Sequence, residues 1–117
     1  MKKKILILSF FLLVGGFSLN AYATDLTGIW DADDGGIYYL RQIGNELFWY
    51  GENDPLNPLW SNVAHGRIFG SLLILNWADV TKGVNRNDGL LILRAVSDFQ
   101  LVLVYKDRPF GGSVWTR

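Results

Sequence analysis

Beyond residue 23 the chain is interrupted by two kinds of break, and they alternate strictly. Three are two residues long: Gly44-Asn45, Gly70-Ser71 and Ser97-Asp98. Four are longer and irregular: 32–35, 53–61, 81–88 and 107–112. Glycine in the first two short breaks supplies the positive φ that a primed hairpin turn requires, so both predict tight hairpins. Ser97-Asp98 has the same length without the glycine. Between the breaks lie apolar runs rich in Ile, Val, Leu, Tyr and Trp that show no helical period, which is the pattern of short strands. Eight strands are expected, over 27–31, 36–43, 46–52, 62–69, 72–80, 89–96, 99–106 and 113–117.

In an up-and-down meander, successive connections lie at opposite ends of the sheet. The alternation therefore predicts that the four long loops gather at one rim and the three tight turns at the other. Closing the meander removes its edges, and eight strands enclose an interior just wide enough to be filled by side chains or to hold one small ligand. The expected fold is all-β: a small antiparallel up-and-down eight-stranded barrel, with an open two-sheet sandwich as the alternative.

The hairpins supply the interior. Across Gly70-Ser71, Ile68 faces Leu73, Gly66 faces Leu75 and Ala64 faces Trp77, so small residues oppose large ones, as a narrow interior requires. The other face sets His65 beside Asn76 and Arg67 beside Ile74 and reads as solvated. In the first hairpin Tyr38, Leu40, Leu47, Trp49 and Gly51 share a face, while Glu46, Glu52 and Arg41 beside Phe48 mark the outside. With Ser97-Asp98 as its turn, the third hairpin is apolar on both faces: Leu91, Leu93, Val102 and Val104 on one, Leu90, Ile92, Leu101, Leu103 and Tyr105 on the other. Either the true register differs, or an outward apolar stripe covers itself against a second copy, a homodimer through the Leu90-Tyr105 hairpin.

The strands are preceded by Lys2, Lys3 and Lys4, then by an apolar stretch from Ile5 to Leu8 continued by Phe10 to Val14, then by Ala21 and Ala23 around Tyr22. A basic start, a short apolar stretch and small residues at the cleavage point make residues 1–23 a secretory signal peptide, with residues 24–117 as a single domain. The apolar stretch is shorter than the roughly 20 residues of a membrane span, so no membrane anchor is expected. The product is exported, to the periplasm or the extracellular space. The whole chain has 11 basic and 11 acidic residues. Loss of three lysines leaves the domain mildly acidic, a poor match for a phosphate backbone, and no nucleic-acid partner is expected. Without cysteine there are no disulfides, so a domain this small must rest on its apolar core.

Leu26-Thr27-Gly28-Ile29-Trp30 resembles the Gly-x-Trp first-strand motif of the calycin group, the lipocalin and avidin type of barrel. The resemblance implies that Trp30 closes one end of the barrel beneath a basic residue from a late strand. Arg117 is the candidate, with Arg94 as the alternative. The closing Gly-Gly-Ser-Val-Trp-Thr-Arg also looks like small exported bacterial domains of unassigned function.

Chemistry-bearing residues are sparse. Asp31, Asp33 and Asp34 before Gly35-Gly36 suggest a calcium loop, yet Gln42 stands where an EF-hand needs its last carboxylate, and a solvated acidic turn accounts for the same residues. His65 is the only histidine, so a His/Cys zinc site cannot be assembled, and no metal or other cofactor is expected. Its mid-strand position, with no nucleophile motif near Ser61 or Ser71, reads as a surface histidine. Paired carboxylates for glycoside hydrolysis would have to come from Asp33, Asp34, Asp54 and Asp107 on the rim, and nothing sets their separation. The chain does not read as an enzyme.

As a set, the long loops bring Asp54, Asn57, Trp60, Arg86, Arg108 and Phe110 to one rim, beside Asp33, Asp34, Asn53, Lys82, Asn85, Asn87 and Asp107. Aromatic plates among amide, acid and guanidinium groups suit a small molecule, glycan or peptide, although Trp60 and Phe110 would also serve as barrel plugs. The leading expectation is an exported, non-enzymatic binding protein. The alternatives are an inhibitor that inserts these loops into a hydrolase and a structural or interaction protein of the cell envelope.

Overall fold

The computed structural model describes residues 24–117; residues 1–23, where the leader is expected, lie outside the described residues. The strands are β1 (Gly28–Ala32), β2 (Ile37–Ile43), β3 (Glu46–Glu52), β4 (Ser61–Phe69), β5 (Leu72–Asp79), β6 (Asp88–Ser97), β7 (Gln100–Lys106) and β8 (Val114–Thr116). Every neighbouring pair is antiparallel, and β8 returns to β1 through Asp31–Thr116 and Ala32–Trp115, closing an eight-stranded up-and-down barrel. The alternative of an open sandwich does not occur. The strand most exposed to mispairing, β8, is only three residues long, and both its neighbours cover it.

Side-chain parity fills the barrel. Trp30, Tyr38, Leu40, Leu47, Trp49, Ala64, Leu73, Leu75, Trp77, Leu91, Leu93, Leu101 and Trp115 all point inward and are buried. The register sets bulk against its absence. Trp49 and Trp77 flank Ala64, Leu47 and Leu75 flank Gly66, and Tyr38 faces Gly51. At Gly66 the packing is closest, since a Cβ there would stand 1.8 Å from the Ile74 carbonyl oxygen. The turns follow the same economy: Gly44 and Gly70 have φ of 61° and 63°, as primed hairpins demand.

The third hairpin corrects the sequence reading. Its turn is Asp98-Phe99, and Ser97 pairs with Gln100, Ala95 with Leu101, Leu93 with Leu103 and Ile92 with Tyr105. Two irregularities, which leave Val96 and Val104 without partners, each insert one residue and reverse parity. Leu91, Leu93, Ala95 and Leu101 are therefore buried inside with Leu103 packed against them, whereas Val102 lies on the outer wall beside Arg94. An outward apolar row does exist, formed by Ile74, Ile92 and Tyr105 side by side.

The long loops, at the rim opposite the three tight turns, are tied to one another. The Val84 N–H donates to the Leu59 carbonyl (2.9 Å), and the Gly83 N–H donates to Ser61 Oγ (3.0 Å). Asp33 accepts from the backbone N–H groups of Ser113 (2.8 Å) and Val114 (3.1 Å), and from the Ser113 hydroxyl. These ties make the rim a continuous surface.

Candidate functional site

At the long-loop rim the inward rows end on Tyr38 and Trp77, and the loops add Trp60 and Phe110. These four rings line an open pocket of about 200 Å³ whose polar wall is Asp34, Asn62, Asp79, Asn85 and Asn87. The volume equals that of roughly six or seven waters at ~30 Å³ each, below the ~300 Å³ at which pockets for drug-sized ligands begin. It suits one compact group.

Each ring is held by more than its own packing. Asn53 Oδ1 accepts from the N–H groups of Leu59 (2.8 Å) and Trp60 (3.3 Å), which curls the β3–β4 loop and sets Trp60 over the opening. Gly83 lies against that loop so closely that a Cβ would reach within 2.5 Å of Trp60 Cα. Phe110 packs edge-on against Trp77 (centroids 4.7 Å apart), and its carbonyl accepts from the Lys106 ammonium (3.0 Å). Tyr38 meets Trp49 edge-on at 5.0 Å and Trp60 at 5.9 Å.

The polar wall is partly committed to the fold. The Tyr38 hydroxyl donates to Asp34 Oδ2 (2.7 Å) and the Gly36 N–H to Asp34 Oδ1 (2.8 Å). Burial outweighs these bonds and pushes the Asp34 carboxyl above its ordinary range. Burial and the adjacent Asp34 charge together push the Tyr38 phenol upward, so it remains a donor. Burial also acts on neighbouring Asp33, but the Ser113 hydroxyl and the N–H groups of Ser113 and Val114 outweigh it and hold that carboxyl below the usual range. Asn62 Oδ1 accepts from Trp49 Nε1 (2.8 Å). Asp79 Oδ2 accepts from the Asn87 N–H (2.8 Å).

Trp77 is different. Its side chain is only 5% exposed, and its Nε1–H finds no acceptor within the described residues. A buried donor left unpaired costs about 1–3 kcal/mol, and this nitrogen lies beside Gly89, which is not among the residues that line the pocket. Trp115 Nε1 is unpaired as well, and Trp115 does not line the pocket.

Of the six residues singled out from sequence as candidate ligand contacts, Trp60 and Phe110 line the pocket, and of the rim residues named beside them Asp34, Asn85 and Asn87 do as well. The other four of the six stand around it. Asp54 accepts from the Leu56 N–H (2.9 Å) and stabilises its own loop, where Asn57 is exposed. Arg86 donates to the carbonyls of Gly83 (3.0 Å) and Asn85 (2.9 Å), and Arg108 stands 3.6 Å from Asp88 on the surface. Sequence reasoning missed Tyr38, Asn62, Trp77 and Asp79, because strand residues of that kind read as core or as strand ends. The available signal was their parity together with their position at the rim end of each strand. Asp34 was visible but read as solvated.

At the opposite end Trp30 is fully buried, its Nε1–H donates to the Leu26 carbonyl (3.0 Å), and the Arg117 guanidinium lies 4.5 Å from the ring centroid. Arg94, the other candidate for that position, points outward. His65 stacks on Phe48 (4.4 Å) on the outer wall, with Glu46 Oε1 at 3.0 Å. Among the described residues no group of three or more histidine or carboxylate side chains converges to hold a metal. Comparison with protein-family models, curated proteins and solved structures finds no match to this chain.

Proposed function

We propose that this chain is an exported binding protein that takes one compact polar group into the long-loop pocket. The observation that carries this reading is the open pocket of about 200 Å³ at the long-loop rim, where four aromatic rings stand beside amide and carboxylate side chains. Four rings offer stacking faces, and the amides and carboxylates beside them offer convergent hydrogen bonds, the combination by which small polar molecules and sugars are recognised. Loops carried on a filled barrel supply the rigidity such a site needs. The test is a glycan and metabolite array probed with the purified protein and with Trp60→Ala. Loss of binding in the variant, with the melting temperature changed by only a few degrees, is expected; binding that survives unchanged would remove the pocket from the account.

A second reading, a small inhibitor of a hydrolase, is favoured by one observation. The loop 53–60 is stiffened by Pro55 and Pro58 and presents Leu56 at 93% and Leu59 at 65% exposure, beside Val84 at 70%. Apolar side chains held out on a proline-stiffened loop lose little entropy on entering a cleft. A hydrolase that co-purifies from envelope extract with the wild type and is lost on deletion of 57–61 would support it.

A further inference from the structure

Each strand that runs into a tight turn carries the same outward pair just before it: Arg41 and Ile43 on β2, Arg67 and Phe69 on β4, Arg94 and Val96 on β6. The two members stand two residues apart on the outer wall, and all six are exposed, Ile43 and Phe69 to 55% and Val96 to 48%. Phe99, in the third turn itself, adds a fourth apolar side chain at 63% exposure. None of the three arginines pairs with a carboxylate among the described residues. The carboxylates at this end are engaged instead with other groups: Asp25 accepts from the Thr27 N–H (3.0 Å), Asp98 accepts from the Thr24 hydroxyl (2.7 Å), and Glu46 Oε1 lies 3.0 Å from His65. Charge is divided along the barrel axis in the same sense. Four arginines stand against three carboxylates at the turn end, whereas the other eight carboxylates of residues 24–117 lie toward the long-loop rim beside four cations.

We propose that the turn end of the barrel seats on the surface of an anionic phospholipid membrane, with Ile43, Phe69, Val96 and Phe99 entering the boundary between headgroups and acyl chains and Arg41, Arg67 and Arg94 meeting lipid phosphates. Two residues of a strand tilted by about 35–45° span about 5 Å along the barrel axis, so the arginines stand at headgroup depth when the apolar tips reach that boundary. A guanidinium takes a phosphate through two parallel N–H groups, and each cation near an anionic surface raises affinity about fivefold. The pairs sit on alternate strands of a closed barrel and so face in different directions around a convex end. A rigid partner would meet them only in part, whereas a fluid surface meets all three and asks only for the two properties they share, positive charge and an apolar tip. The same surface repels the acidic rim, which leaves the pocket facing water. This contact does not depend on what the pocket binds.

The test mixes residues 24–117, which form the closed barrel, with vesicles of phosphatidylcholine alone and of equal parts phosphatidylcholine and phosphatidylglycerol, and measures bound protein by co-sedimentation at low and high salt. Binding to the anionic vesicles is expected to be at least tenfold tighter than to the neutral ones and to weaken at high salt. Arg41→Gln, Arg67→Gln and Arg94→Gln together should remove that preference. Phe69→Ser with Phe99→Ser should weaken binding at least fivefold, and because all five positions are exposed, both variants should melt near the wild-type temperature. Equal affinity for the two kinds of vesicle, no sedimentation with either, a preference that survives loss of the three arginines, or binding unchanged by the two serines would overturn the proposal. Self-association seen by light scattering without vesicles and abolished by Phe69→Ser would give this end to a second copy and overturn it as well.

Discussion

Arg117 lies over Trp30 with its guanidinium carbon 4.5 Å from the ring centroid, and the same guanidinium donates to the carbonyls of Asp25 (3.1 Å), Thr27 (3.1 Å) and Asp98 (2.8 Å). One side chain thus joins the segment before β1, the β6–β7 turn and the residue after β8, at the end of the barrel away from the pocket. The β8–β1 seam has few backbone pairs, so this clasp matters more than its exposure suggests.

Arg117→Ala is expected to destabilise the fold by about 1–3 kcal/mol, combining a cation–π contact worth ~0.5–2 kcal/mol with charge-assisted hydrogen bonds that solvent partly screens. Arg117→Lys should recover only part of this, since an ammonium cannot present the planar fork that reaches three carbonyls. Urea denaturation of the three proteins checks the order.

Gly66 tests the interior packing. An alanine methyl there meets the Ile74 carbonyl and Leu75 Cα, which are backbone and cannot rotate away. The variant should lose about 3 kcal/mol or more, or fail to fold. At Gly44, where a Cβ would meet nothing within 4 Å, alanine costs only the left-handed turn conformation, about 1 kcal/mol.

The register of the third hairpin is checked by a neighbouring pair of truncations. Leu101→Ala removes a fully buried side chain and should cost about 2–5 kcal/mol. Val102→Ala, on the outer wall, should cost less than about 1 kcal/mol. Were the turn at Ser97-Asp98, the order would be reversed.

Asp34 and Asp33 predict opposite pH slopes. The folded-state pKa of Asp34 is raised, so its contribution is fully present below the unfolded value of about 3.9 and is lost as pH rises through the folded value. For Asp33 the folded value is depressed, so its contribution is present above about pH 3.9 and lost as pH falls. In thermal melts, the stability of wild type relative to Asp34→Asn should decline from pH 3 to 7, and relative to Asp33→Asn it should rise over the same range.

Much of this architecture could be read before any coordinates. Gly44 and Gly70 identify their turns, and the pairing of Ala64 with Trp77 places β4 and β5 side by side with the correct face inward. The third hairpin could not be read the same way, because Val96 and Val104 look like ordinary strand residues and a bulge carries no chemical mark of its own. Trp60 and Phe110 stand out as aromatics in loops. Trp77 and Tyr38 do not, since a buried strand aromatic is most often core, and only their place at the rim end of their strands, where they line the pocket, separates them from Trp49.

The central claim, that the rim pocket lined by Trp60 and Trp77 receives a ligand, is tested most directly by the indole N–H resonances of the five tryptophans. With each assigned by Trp→Phe substitution, the protein is titrated with glucosamine, ethanolamine and glucose in a ¹⁵N-correlated NMR experiment. Trp77 and Trp60 are expected to shift in a saturable way with at least one of these probes, while Trp30 at the far end stays fixed. No saturable shift at Trp77 with any of them, or shifts confined to Trp30, would contradict it.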